Sequence, residues 1–174
     1  FIATAMIPLW NNFTSNIVDV KRDTLCIDPQ DVERYKKPNS EVLISVNQAG
    51  VPADYEGLRK VFGGFILEDT AHSCYTPGAG LGGDAAVWSF QAVKTMPCGD
   101  GGMIDLLGYK YYMIDIMAAI CLEQMKKLPE HLKFRRHVQE RYKNELHPII
   151  ERPPHSETVQ YYCAKVPPEH RDTL

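Results

Sequence analysis

Three short runs, "EVLISV" (Glu41–Val46), "GFILED" (Gly64–Asp69) and "AAVWSF" (Ala85–Phe90), carry apolar residues on consecutive positions rather than alternating ones. A strand apolar toward both faces must be covered on both, as in a mostly parallel sheet flanked by helices. "NIVDV" (Asn16–Val20) reads as a further strand ahead of them. Between the runs lie helical patterns. In "DPQDVERYKK", Asp28 suits the N-cap and Pro29 the first turn, and a second helix is expected near "ADYEGLRKVF". Strand and helix in alternation predict an α/β fold. Sites in such sheets gather at the carboxyl ends of the strands, where Asp69 falls and just beyond which Lys94 follows Phe90.

Farther on, Met113, Ile116, Met117, Ile120 and Gln124 recur at three-and-four spacing and predict an amphipathic helix ending near Leu128-Pro129. Leu132–Leu146 reads as a second, charged helix, "HPIIERPPHSE" as a linker and "TVQYYCAKV" as the start of a new strand. The chain accordingly divides into residues 1–150 and residues 151–174.

With 19 Lys+Arg against 22 Asp+Glu, the chain has no overall attraction for nucleic acid or an anionic membrane, so neither is expected as a partner and any bound anion needs a local site. The five cysteines, Cys26, Cys74, Cys98, Cys121 and Cys163, are odd in number and lack C-x-x-C spacing. That pattern argues against a disulfide framework or zinc ribbon and for free thiols in a cytoplasmic protein. No run approaches the length of a membrane span, and the first residues lack a basic n-region and cleavage pattern. His72 and Cys74 supply too few donors for a metal, and none is expected.

Asp69, His72 and Lys94 stand at the ends of two neighbouring strand patterns. A lysine there can be an amine nucleophile toward a carbonyl cofactor, and a carboxylate can pair with a pyridinium nitrogen. The same residues also admit a plain reading: Asp69 as a helix cap, His72 as a satisfied residue and Lys94 as a solvated side chain. "GDGG" (Gly99–Gly102) lacks the G-K-[ST] of a phosphate loop and reads as a tight turn after Lys94, with Cys98 beside it as packing.

Four ordered stretches decide between these readings. "FIATAMIPLW...NIVDVKRDTLCIDP" (Phe1–Pro29), "EDTAHS" (Glu68–Ser73), "GDAAVWSFQAVKTMPCGDGGMI" (Gly83–Ile104) and "LGYKYYMIDIMAAICLEQMKKL" (Leu107–Leu128) resemble successive motifs of the DegT/DnrJ/EryC1/StrS family of pyridoxal-phosphate-dependent sugar aminotransferases. The resemblance implies the aspartate aminotransferase-like fold (fold type I). Residues 1–150 would be a partial large, pyridoxal 5'-phosphate-binding domain, and residues 151–174 a linker and the start of the small C-terminal domain. It makes Lys94 the lysine that holds the cofactor as a Schiff base and Asp69 the partner of its pyridine nitrogen. His72 would lie against the ring near its 3-hydroxyl, Ser89 would bond the phosphate, and Phe1 would stack on the ring. Lys110 would reach the phosphate across a homodimer interface, so that the active sites are shared.

The chain departs from the family pattern in three places. The resemblance leads one to expect a phosphate-cup segment before "FIATA", more of the small domain after "RDTL", and a further stretch between Ile104 and Asp105, where two motifs abut. The resemblance implies amino transfer from an amino acid, glutamate above all, to a nucleotide-linked keto-sugar in amino-sugar biosynthesis. Deoxysugar dehydratases of the same family carry histidine at the lysine position, and Lys94 argues against that alternative. The intact set of Asp69, His72, Ser89 and Lys94 argues against a catalytically inactive scaffold.

Overall fold

The computed structural model describes residues 1–106, 115–146, 148, 150–151 and 160–171. Its centre is a four-stranded sheet of β1 (Val42–Val46), β2 (Phe65–Asp69), β3 (Ala85–Ser89) and β4 (Gly102–Asp105), ordered β1-β2-β3-β4. The first three strands are parallel, with Val46 beside Asp69 and Asp69 beside Val87, while β4 runs antiparallel to β3 with Gly102 beside Ser89. The mostly parallel sheet expected from the apolar runs is present, and β4 is an addition that begins at Gly102, the last residue of the glycine turn.

Helices α2 (Pro29–Tyr35) and α3 (Tyr55–Val61) follow their capping signals. The Asp28 carboxylate accepts from Gln30 N–H at 2.9 Å, and Asp54 accepts from Gly57 N–H at 2.9 Å. Their apolar residues Val32, Leu58 and Phe62 join Cys26, Ala53 and Ile66 in one core against the sheet. Arg59 of α3 pairs with Asp84 at 2.9 Å, and the same carboxylate accepts from Ile66 N–H of β2, which fixes the helix to the start of β3. A second core of Cys74, Phe90, Met96, Cys98 and Cys121, with Trp88 and Met117 packed against it, joins the segment after β3 to a long helix, α4 (Asp115–Glu145).

Four readings are corrected. Asn16–Val20 is no strand: Val20 forms only an isolated bridge with Ile27. Its backbone enters a tight loop in which Lys21 N–H donates to Cys26 C=O and Leu25 N–H to Lys21 C=O, so the segment closes on itself instead of reaching the sheet. Helix α1 (Ile2–Trp10) forms where none was assigned, with Pro8 inside it. The two helices expected on either side of Pro129 are one, α4. Proline removes a single donor there, while buried Cys121 and Leu128 and exposed ion pairs such as Arg141–Glu145 hold the helix on both sides. The described part of "TVQYYCAKV" is not a strand either, since Lys165 makes only an isolated bridge with Glu151.

Beside Ile66 on the same face of β2 lies Glu68, wholly buried. Its Oε1 accepts from Asn47 Nδ2 at 2.7 Å and Gly80 N–H at 2.8 Å, and its Oε2 from Gly82 and Gly83 N–H at 3.0 and 3.2 Å. Every donor is backbone or amide, so the carboxylate is solvated by the protein itself. Glu68→Gln turns an NH2 group toward two donors in either orientation, and Glu68→Ala strands all four. Each is expected to cost about 3 kcal/mol in denaturant unfolding, comparable with Leu58→Ala in the core.

Candidate active site

Strand pleating sends neighbouring side chains to opposite faces. With Glu68 turned into the clamp, Asp69 turns the other way at the carboxyl end of β2. Its Oδ2 accepts from Thr4 Oγ1 of α1 at 3.0 Å, and its Oδ1 from Ala71 N–H at 3.1 Å. The second bond makes Asp69 the cap of a turn, where the plain reading had a helix, but a carboxylate accepts about four hydrogen bonds, and lone pairs remain.

His72 sits in the turns after β2, with only 9% of its surface exposed. Its Nδ1 is buried with no partner among the described residues. The edge of one ring meets the face of the other between His72 and Tyr161, with centroids 4.9 Å apart at 81°. Burial above all, and then the nearby Lys94 ammonium, holds the imidazole pKa down at about 4, against the opposing Asp69 carboxylate. At neutral pH the ring is uncharged. Asp69 and Lys94 thus lie near enough to His72 for their charges to act on it.

Lys94 is half-buried in the segment between β3 and β4. Lys94 N–H donates to Gln91 C=O, Ala92 N–H to Gly99 C=O and Cys98 N–H to Phe90 C=O, which folds the segment into a compact loop. Gly99 and Gly101 have φ of 99° and 104°, conformations that a side chain would strain. Cys98 is buried in the second core and its thiol is pushed up by burial, consistent with packing. Ser89 closes β3 on the same edge of the sheet as Asp69. Phe1 is the N-cap of α1 and is 90% exposed, and α1 contacts Asp69 through Thr4. Lys110 lies outside the described residues.

Thr4, Tyr161 and Gln160 belong to the site and were not singled out in the sequence. Thr4 bonds Asp69 across 65 residues, and no spacing rule connects them. Gln160 is buried and touches both neighbours of Lys94.

The model of the DegT/DnrJ/EryC1/StrS aminotransferase family matches residues 1–106 and 104–173. Among solved structures, AtS13 from Actinomadura melliaura is 27% identical, with a TM-score of 0.84 over 99% of this chain and 60% of that one. DesI, crystallised in the presence of its TDP-sugar product, is 24% identical with a TM-score of 0.87, over 99% of this chain and 55% of its own. The putative sugar aminotransferase Spr1654 from Streptococcus pneumoniae, in its PMP form, is 22% identical with a TM-score of 0.85, over 99% and 61%. The chain therefore spans 55% to 61% of the length of these three proteins.

The depressed proton affinity of His72 has a measurable consequence. The unfolded side chain takes up its proton near 6.5 and the folded one only near 4. Its contribution to stability is therefore complete above the first value and is lost as pH falls toward the second. Stability measured from pH 7 to pH 4 should fall more steeply in the unmodified protein than in His72→Gln, by about 3 kcal/mol across the range.

Proposed function

The chain belongs to the DegT/DnrJ/EryC1/StrS aminotransferase family, and from that premise we propose that this protein is a pyridoxal 5'-phosphate-dependent sugar aminotransferase. In this reading it moves an amino group from an amino acid, glutamate in the first instance, to a nucleotide-linked keto-sugar. The observation that carries the reading is a buried His72 Nδ1 with no partner among the described residues, in the turns that follow Asp69 at the carboxyl end of β2, with Lys94 near enough to lower its proton affinity. An orphaned ring nitrogen in a buried position is costly unless a ligand supplies its partner. A carboxylate with lone pairs to spare, a neutral imidazole and a primary amine also fit the polar edges of a substituted pyridine. Spr1654, solved in PMP and PLP forms, and NtdA from Bacillus subtilis, solved with bound PMP, support the choice of cofactor. DesI with its TDP-sugar product supports the class of acceptor.

Pyridoxal phosphate supplies a carbonyl that amines attack and a protonated ring that draws electrons from the substrate carbon. The work left to the protein falls to named side chains. Lys94 Nζ would be the amine that holds the cofactor and, once released, the base and acid that carry a proton. Asp69, anchored by Thr4 and Ala71 N–H, would keep the pyridine nitrogen protonated by offering it a fixed negative charge. His72 is uncharged at neutral pH and so adds no positive charge that would compete for Asp69. Ser89 and, from the second subunit of a homodimer, Lys110 would hold the phosphate, and Phe1 would cover the ring. The two stretches matched by the family model meet at residues 104–106, which supports a missing segment between 104 and 105 within the large domain assigned to residues 1–150, followed by residues 151–174 as linker and start of the small domain. No described helix is long and apolar enough to cross a membrane, which accords with the cytoplasmic placement proposed here.

Two variants test the reading. Borohydride reduction of the full-length protein with pyridoxal phosphate should fix a mass label on Lys94, and Lys94→Ala should lose both the label and the cofactor's visible band. A label elsewhere, or an unchanged band in the variant, would remove Lys94 from the role. Asp69→Asn should bind cofactor yet transfer amino groups from glutamate about 100-fold more slowly or worse. For the shared sites, Lys94→Ala mixed with Lys110→Glu should recover activity after subunit exchange, whereas a mixture that stays inactive would place Lys110 elsewhere.

A further inference from the structure

Lys94 stands on a loop, not on a strand, and a loop must be fixed by something outside itself. Within the loop, the bonds between Cys98 and Phe90 and between Ala92 and Gly99 tie its base. The crown that carries Lys94 is held from a distant part of the chain. Gln160 donates from Nε2 to Val93 C=O at 2.6 Å, and its Oε1 accepts from Thr95 Oγ1 at 2.8 Å. One primary amide thus bonds the residues immediately before and after Lys94 across 67 and 65 positions of sequence.

The chemistry of the amide suits the task. Its two ends are of opposite kind, and the loop presents an acceptor at Val93 and a donor at Thr95. Gln160 and Thr95 are both buried, at 8% and 2% exposure, so water does not readily replace the bonds. Gln160 is itself anchored, since Arg135 of α4 donates to its carbonyl at 3.3 Å. The next residue, Tyr161, packs on His72. Two consecutive residues therefore touch the two sides of the site that sequence places on separate segments.

We propose that Gln160 is a positioning residue that brackets Lys94 and fixes the attitude of its amine toward Asp69 and His72. The inference rests on the role proposed above for Lys94, because an amine that alternates between holding a cofactor and carrying a proton needs one fixed approach to both. Reacting groups misplaced by about an ångström lose rate far more than affinity. Gln160 touches neither substrate nor cofactor in this account; it acts through Lys94.

The test uses the full-length protein and two variants. Gln160→Met keeps length but has neither hydrogen-bonding end, and Gln160→Glu keeps the acceptor for Thr95 while setting an oxygen against Val93 C=O. In the cofactor-free protein, hydrogen exchange in the peptide spanning residues 91–98 should quicken about tenfold in both variants, with the rest of the sheet unchanged. Thr95→Val should quicken the same peptide, and adding it to Gln160→Met should add little, as expected when two groups share one bond. With pyridoxal phosphate bound, kcat should fall about tenfold while KM for glutamate stays within about twofold. Unchanged exchange in the 91–98 peptide, or faster exchange throughout the protein, would overturn the proposal. A missing borohydride label on Lys94 in the unmodified protein would defeat the aminotransferase reading instead, while the exchange measurement would still decide whether Gln160 brackets the loop.

Discussion

The fold turns on a buried carboxylate. Glu68 lies at the junction of β2 with the residues that lead into β3, and four N–H donors close around it in place of water. A charge in that position is tolerated only when its lone pairs are taken up, so the Gly80–Gly83 backbone and the Asn47 amide are drawn to it. Asn47 passes the constraint on: its Oδ1 accepts from Ala53 N–H and from the Tyr55 hydroxyl, and its Nδ2 reaches Ser73 Oγ. The ends of β1 and β2, the start of α3 and the turns carrying His72 are thereby referred to one point. Since residues alternate across a strand, fixing Glu68 on one face fixes Asp69 on the other.

That arrangement explains which parts of the fold were legible in the sequence. The parallel strands carry apolar runs, α2 announces itself through Asp28-Pro29 and α3 through the pattern of "ADYEGLRKVF", because each signal acts within a few residues of its effect. Where those signals misled, competing backbone bonds or packing contacts had won. "NIVDV" has the composition of a strand, yet its neighbours close a loop around Lys21 and Cys26. Pro129 carries the mark of a helix end, and α4 continues because buried Leu128 anchors the turn beside it. β4 exists because its backbone completes the edge of β3, a pairing that glycine-rich sequence does not advertise.

The site divides along the same line. Asp69, His72 and Lys94 could be picked out because catalytic groups at strand ends obey a rule of topology, and because their motifs resemble a family in order. Thr4, Gln160 and Tyr161 could not, since a threonine in an apolar helix and a Gln-Tyr pair in a polar tail carry no chemistry until folding sets them beside Asp69, Lys94 and His72.

The electrostatics of the three groups follow from their supports. Asp69 is fixed by a strand and two hydrogen bonds, and its charge is partly shared with donors. His72 is buried beside an ammonium, and both conditions favour its neutral form. Lys94 sits on the loop between β3 and β4, which is tied at its base by backbone bonds and at its crown by Gln160. That loop is braced by residues from two distant stretches: the sheet and its loop come from the first stretch matched by the family model, and α4 with Gln160 from the second. A site assembled in this way cannot be completed by either stretch alone, because Gln160 reaches Lys94 only when α4 and the second core are in place.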